Sequence, residues 1–298
     1  MLSRRETLAG ALALGACAGR APADPRTTDL PAPNDARFAA IEARTGGRLG
    51  VAAWRPSDDA WLVHRPHERF AMCSTFKWAL AAVQLQMTER GGPSLDHAVR
   101  FDERDMHEYA PTARQHLARG WMTIEEACEG AVKLSDNTAA NLLLQIQGAP
   151  EGFTRLLRAD GDGVTRLDRY ELDLNDVAPG DERDTTTPEA MARTLKRFLL
   201  DDGVLAPAHR EKLIGWMIDS PTGLQRLRAG FPASWRAGDK TGTWNGEHNA
   251  ANDVAIAWPA PHGAPIIVCA YLHRSTIDAA GRNAAHAEIG RIIAAEWG

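Results

Sequence analysis

Strand-forming runs gather at the two ends of this chain. Leu49 to Trp54 and Ala60 to Val63 are rich in apolar residues and joined by the polar turn Arg55-Pro56-Ser57-Asp58-Asp59. Ser234 to Thr243, Asp253 to Trp258 and Pro265 to Leu272 form a second group near the C-terminus. Between the groups, apolar residues recur at helical spacing over Lys77 to Met87, Thr123 to Leu134, Asn137 to Gln147, Ala149 to Arg158, Thr187 to Leu200 and Pro207 to Ile218. Asp35 to Arg44 and Thr276 to Trp297 read as helices that bracket the whole. The simplest packing is a layered α/β (α+β) fold. An antiparallel sheet is built from both chain ends and flanked by the terminal helices, with an all-helical lobe inserted. Residues 27–72 with 218–298 would make the first lobe and residues 73–217 the second, with a cleft between them as the natural ligand site.

The 298 residues suffice for this, and the formal net charge of -5 is spread along the chain without a basic block. Nucleic acid is therefore not an expected partner, nor is a membrane span after the N-terminus; a monomer acting on a small molecule is. Residues 1–25 read as an export signal. Ser3-Arg4-Arg5-Glu6-Thr7-Leu8 has the twin-arginine form and precedes the apolar run Leu8–Ala18. Ala21-Pro22-Ala23 offers a cleavage site, and Leu14-Gly15-Ala16-Cys17 offers an alternative in which Cys17 is lipidated. Either exit implies a periplasmic enzyme. Cys73, Cys128 and Cys269 have no C-x-x-C spacing, so neither a disulfide framework nor a zinc site is expected. Pro66 keeps His64-Arg65-Pro66-His67-Glu68 from forming a metal-binding helix. No metal or other cofactor is implied.

Four short stretches carry the chemistry. Ser74 lies three residues before Lys77, at the start of a helix, so their side chains share a face. A serine hydroxyl needs such a basic neighbour to become a nucleophile. The first N–H groups of a helix suit a developing oxyanion. Taken alone, the pair reads better as a helix cap and a surface lysine. Ser135-Asp136-Asn137 falls at a helix–helix turn, where all three residue types also cap helices. Arg169-Tyr170-Glu171-Leu172-Asp173-Leu174-Asn175 sits in a charged segment, 165–186, without apolar period; loops of that length are usually functional. Asp239-Lys240-Thr241-Gly242-Thr243 lies on a predicted strand. The chain has five lysines, and Lys77 and Lys240 are two of them.

Together, in this order, these motifs make the chain resemble the class A serine β-lactamases from about Asp35 to the C-terminus. The resemblance implies a catalytic set of Ser74, Lys77, Ser135 and Glu171. Ser74 would be acylated by the lactam carbonyl, with the N–H groups of Ser74 and Thr243 as the oxyanion hole. Lys77 would assist Ser74, and Ser135 would relay a proton to the lactam nitrogen. Asn137 would hold Lys77 and the substrate amide. Lys240 and Thr241 would bind the substrate carboxylate, with Arg226 as a second cation. Tyr109 would flank the entrance. Glu171, with Asn175, would deliver the water that frees the acyl group, on a loop clamped by Arg169 and Asp184. Whether Lys77 or Glu171 takes the proton from Ser74 is left open.

The pattern also departs from the family's commonest form. Leu172 replaces a frequent proline and leaves the isomer of the Glu171–Leu172 bond open. Tyr170 replaces a frequent tryptophan. Trp244 stands where some members carry a cysteine bonded to the one at Cys73, and Ala81 where the family often has the partner of Cys128. Two other readings share the acylation motifs: a penicillin-binding DD-peptidase that is acylated but not turned over, and a β-lactam sensor. The intact loop with Glu171 favours the hydrolase, which would confer resistance to β-lactam antibiotics.

Overall fold

Trp54 of the first strand group lies beside Ile267 of the second, and the two groups do form one sheet. The computed structural model describes residues 30, 35–246, 249–259 and 263–298. The export signal read in residues 1–25, with Cys17 and Ala21-Pro22-Ala23, lies outside them. The features below belong to the unit Pro31–Gly298. Helix α1 (Ala36–Thr45) leads into strands β1 (Arg48–Arg55), β2 (Ala60–His64) and the short β3 (Phe70–Ala71). Next come α2 (Phe76–Glu89), β4 (Ala98–Arg100), α3 (Pro111–His116), β5 (Trp121–Thr123), α4 (Ile124–Lys133), α5 (Asn137–Ile146) and α6 (Ala149–Ala159). After the long loop follow β6 (Thr185–Thr186), α7 (Pro188–Leu200), α8 (Pro207–Asp219) and the short α9 (Leu227–Gly230). Strands β7 (Arg236–Trp244), β8 (Ala250–Trp258) and β9 (Ile266–His273) precede the closing helix α10 (Ala279–Trp297).

The main sheet has the order β2-β1-β9-β8-β7, antiparallel throughout, so β7 is an edge strand. One face carries Leu49, Val51, Ala53, Val268, Ala270 and Leu272, packed with Phe38 and Ile41 of α1 and Ile289 and Ile293 of α10. Burying such side chains contributes about 1.5–3 kcal/mol each. Helix starts follow local chemistry. Asp35 caps α1 through Arg37 N, Thr123 and Glu126 form a capping box on α4, and Asp278 caps α10 through Gly281 N.

The inserted segment is not all helical. β4 pairs with β5, and β6 pairs with β3. These strands have two or three residues each, too few to display an alternating pattern. Helix α2 starts at Phe76, after Ser74, where the sequence places the start of the helix. Cys73–Thr75 form a separate 3-10 turn, and Cys73 has φ +45°. His64 and His67 face the carboxylates of Glu42 and Glu189.

Candidate active site

Ser74 lies in the 3-10 turn that feeds α2, half-buried between two fully buried neighbours, Cys73 and Thr75. Thr75 Oγ1 donates to Met72 O at 2.8 Å, and Asn252 Nδ2 donates to Ala71 O and Met72 O at 2.9 and 3.1 Å. The segment before the serine is therefore tied to β8. A non-glycine residue at positive φ costs about 1–3 kcal/mol, which the surrounding bonds must offset. Both Cys73 and Ser135, with φ +45° and +58°, sit in that region. Burial pushes the Cys73 thiol up to about 12, so it is an inert neighbour of Ser74 rather than a rival nucleophile.

Lys77, one turn on, is fully buried. Its Nζ lies 2.5 Å from Asn137 Oδ1, 3.0 Å from Ser135 O and 2.8 Å from Glu171 Oε1. Three acceptors use the whole donor capacity of an ammonium. Asp136 fixes the Ser135–Asn137 turn by capping α5 through Ala139 N at 2.8 Å. It also accepts from Thr112 N and Ala113 N of α3. The cap reading of this motif is thus true of Asp136, while Ser135 and Asn137 face Lys240 and Lys77.

Glu171 Oε1 is 3.4 Å from Ser74 Oγ, and its Oε2 accepts from Asn175 Nδ2 at 2.8 Å. The Glu171–Leu172 peptide is cis. Asn141, which sequence reading passed over, holds this residue by its backbone. Asn141 Oδ1 accepts from Glu171 N at 3.0 Å, and Asn141 Nδ2 donates to Glu171 O at 3.1 Å. The missed signal was the spacing: Asn141 follows Asn137 by four residues and so shares its helix face. At the base of the loop, Arg169 Nε donates to Asp184 Oδ2 at 2.6 Å. Asp184 Oδ1 accepts from Asp168 N and Arg169 N, and the Asp184 carbonyl accepts from Met72 N at 3.0 Å. The clamp therefore reaches the nucleophile segment as well as the two loop ends.

From the opposite side, Lys240 Nζ donates to Ser135 Oγ at 3.0 Å and to Thr241 O at 2.6 Å. Burial, and next the charge of Lys77, push the Lys240 ammonium down to about 7. Thr241 Oγ1 donates to Thr222 Oγ1 at 2.8 Å, a second residue that the sequence did not single out. Gly242 explains how β7 comes so near: a Cβ there would stand 2.8 Å from Met72 O and 3.1 Å from Ser74 N.

The comparisons with known proteins agree with this arrangement. Residues 34–297 match the model of the β-lactamase enzyme family. The chain is 45% identical to the β-lactamase L2 of Stenotrophomonas maltophilia, over 95% of this chain and 90% of that protein. It is 41% identical to the β-lactamase AST-1 of Nocardia asteroides, over 97% and 94% of the two chains. A solved ancestral class A β-lactamase superposes with a TM-score of 0.84 at 48% identity, covering 88% of this chain and 98% of its own. The chain belongs to the class A β-lactamase family.

In this class A family member the remaining expected residues divide in two. Arg226 is buried and braces the edge strand from behind. Its Nη1 donates to Gly242 O and Asn252 O at 3.0 and 2.7 Å, Nη2 to Thr243 Oγ1 at 2.6 Å, and Nε to Asn283 Oδ1 at 3.0 Å. Tyr109 is 54% exposed, and only its backbone joins the network, accepting from Asn137 N. Tyr170 and Leu172 are likewise open to solvent. Cys73, Cys128 and Cys269 are free and buried, with Trp244 and Ala81 at the two positions where the family can place partners.

Proposed function

We propose that this enzyme hydrolyses the cyclic amide of β-lactam antibiotics, and so confers resistance to them, through an ester on Ser74 that Glu171 releases. In the first half, Ser74 Oγ attacks the lactam carbonyl carbon, and the negative oxygen is held by the N–H groups of Ser74 and Thr243. The carbon–nitrogen bond breaks as Ser135 gives its proton to the departing nitrogen, and the proton lost by Ser74 passes through Glu171 and Lys77 to refill Ser135, leaving Glu171 a carboxylate again. Lys240 and Thr241 take the substrate carboxylate, with the Arg226 guanidinium supporting Thr243, and Asn137 takes the side-chain amide. Tyr109 borders the entrance. In the second half, Glu171 removes a proton from a water that attacks the ester carbon, and Ser74 leaves with a proton regained. Asn175 orients the carboxylate, and the Arg169–Asp184 pair keeps the loop in place.

The observation that carries this reading is the position of Glu171. Its Oε1 lies 3.4 Å from Ser74 Oγ and 2.8 Å from Lys77 Nζ, with the side chain almost wholly buried. Because all three Nζ donors of Lys77 are engaged, the acceptor left beside Ser74 is Glu171, and we assign it the serine proton too, directly or through water; without the Glu171 carboxylate, Lys77 is freed of that partner and takes the serine proton more slowly, so acylation outlasts deacylation. We read the enzyme as a monomer divided into the two lobes drawn above. Arg4-Arg5 and the apolar run after them support export by the twin-arginine route into the periplasm. Lipidation at Cys17 is the alternative exit. Among the described residues, no helix is long and apolar enough to cross a membrane.

The test is nitrocefin turnover by the purified enzyme, followed by mass spectrometry of Glu171→Ala. Turnover by the native protein and a trapped adduct on Ser74 in the variant are expected. A native protein that stays stoichiometrically labelled without turnover is a penicillin-binding DD-peptidase instead. Rapid turnover by Glu171→Ala removes the assigned base.

A further inference from the structure

His107 stands against the amide that carries the Glu171 backbone, with Nε2 2.7 Å from Asn141 Nδ2. The orientation of that amide is not free. Glu171 N can only donate, and it meets Asn141 Oδ1; the Glu171 carbonyl can only accept, and it meets Asn141 Nδ2. Turning the amide over would set donor against donor and acceptor against acceptor. The atom facing His107 is therefore the NH2 group, which has two hydrogens. One is given to Glu171 O. The other is directed at His107 Nε2, which must be the unprotonated acceptor, leaving the ring proton on Nδ1. Asn141 lies on α5, and the His107 backbone is tied to the same helix. His107 N donates to Thr138 Oγ1 at 2.9 Å, and that hydroxyl donates to Asp105 O at 3.0 Å, one helical turn before Asn141.

We propose that His107 is a positioning residue for deacylation: as acceptor of the second Asn141 N–H, it locks the amide that grips the Glu171 backbone on both sides. The proposal rests on the reading of Glu171 as the base. Protonating His107 Nε2 would turn the acceptor into a donor facing a donor. The amide then must release His107 or flip, and flipping gives up both bonds to Glu171. The titratable and charged groups around the contact are Asp105, Glu108 and Tyr109 on its own segment and Glu171 on the facing loop, already paired with Lys77. Arg114 of α3 is also near, bonded to the Glu108 carbonyl. Loss of the acceptor thus loosens the base.

The test compares His107→Leu, His107→Gln and Glu171→Ala in the full enzyme, with acylation and deacylation of a penicillin timed separately. His107→Leu has no acceptor; it is expected to slow deacylation about tenfold or more while acylation changes less than about threefold, so that kcat and KM fall together. His107→Gln places a non-titrating oxygen near the same point. It should recover most of the deacylation rate and bring kcat and KM back together toward wild type. Deacylation at the wild-type rate in His107→Leu, with Glu171→Ala still trapping the ester, overturns the role of His107 alone. Turnover by Glu171→Ala overturns the base assignment and this proposal with it. Should His107→Leu fail to fold, His107→Ala takes its place: deacylation at the wild-type rate in that variant refutes the proposal.

Discussion

Lys240 Nζ and Ser135 Oγ, from β7 and from the turn between α4 and α5, meet at 3.0 Å across the cleft. The lysine is fully buried, and burial followed by the charge of Lys77 lowers its ammonium from 10.5 to about 7. The folded protein therefore binds fewer protons here than the unfolded chain between those values. The cost of burying the charge is present in full below pH 7 and is relieved as pH rises toward 10.5. Function moves in the opposite sense. A carboxylate-bearing substrate needs the cation, so kcat/KM should decline on the alkaline side with a midpoint near that of the free lysine. Bound carboxylate restores the proton, so kcat should decline less. Lys240→Arg keeps its charge at all these pH values. Its kcat/KM profile should lose the alkaline limb, and an identical limb would detach the limb from Lys240.

Arg226 should matter twice. Removing it takes the guanidinium bonds away from the buried Gly242 O and Asn252 O, at about 1.5–3 kcal/mol for each charged hydrogen bond. Thr243 loses the guanidinium that fixes its hydroxyl. Arg226→Ala is expected to lower Tm by several degrees and to raise KM for carboxylate-bearing substrates more than it lowers kcat. Arg226→Lys should rescue little, because an ammonium has three donors on one nitrogen and cannot span the four acceptors that the planar guanidinium holds. An unchanged KM in steady-state assays would take Arg226 out of substrate binding and leave it as a brace.

What the sequence disclosed, and what it withheld, follows from how each feature is encoded. The five main strands and most helices declare themselves by period, and Ser74, Lys77, Ser135, Glu171 and Lys240 by residue type at fixed spacing. The three-residue strands β4 and β5 have no room for a period. Asn141 and Thr222 are ordinary polar residues whose partners lie 30 and 19 positions away, so only the folded chain reveals them. The positive φ of Cys73 and Ser135 is imposed by tertiary bonds on residues with no preference for it. Arg226 came only from the family resemblance, and its contacts with the main chain of β7 and β8 could not be read from spacing.

Gly242 is the point where β7 touches the nucleophile segment. A methyl group there would lie 2.8 Å from Met72 O and 3.1 Å from both Cys73 Cβ and Ser74 N. Backbone, not a flexible side-chain end, must give way. Gly242→Ala should push the two oxyanion donors apart and reduce the acylation rate by about 10²–10³, comparable to losing one donor. Single-turnover acylation kinetics would check this, and a rate within threefold of wild type would mean that Thr243 N–H contributes no donor.

Asp184 offers the sharpest separation of loop positioning from chemistry. It is fully buried, with φ +60°, a conformation that Asp and Asn tolerate better than other side chains. Burial pushes its carboxyl above the ordinary range despite hydrogen bonds from Asp168 N and Arg169 and the charge of Arg169. Asp184→Asn keeps the shape and the acceptor for the two backbone N–H groups but loses the charge. Asp184→Ala loses everything and strands Arg169, at about 3–5 kcal/mol for a broken buried pair. The loop that carries Glu171 should then shift, and a displacement near 1 Å is worth about 10²-fold in rate. In Asp184→Ala, deacylation should fall by that order while acylation by Ser74 falls less, so the ester accumulates during turnover. Asp184→Asn should lie between the alanine variant and wild type in both stability and deacylation. Mass spectrometry during turnover gives the readout. Equal slowing of both half-reactions would mean that the Asp184 carbonyl, through Met72 N, governs Ser74 as much as its carboxylate governs Glu171.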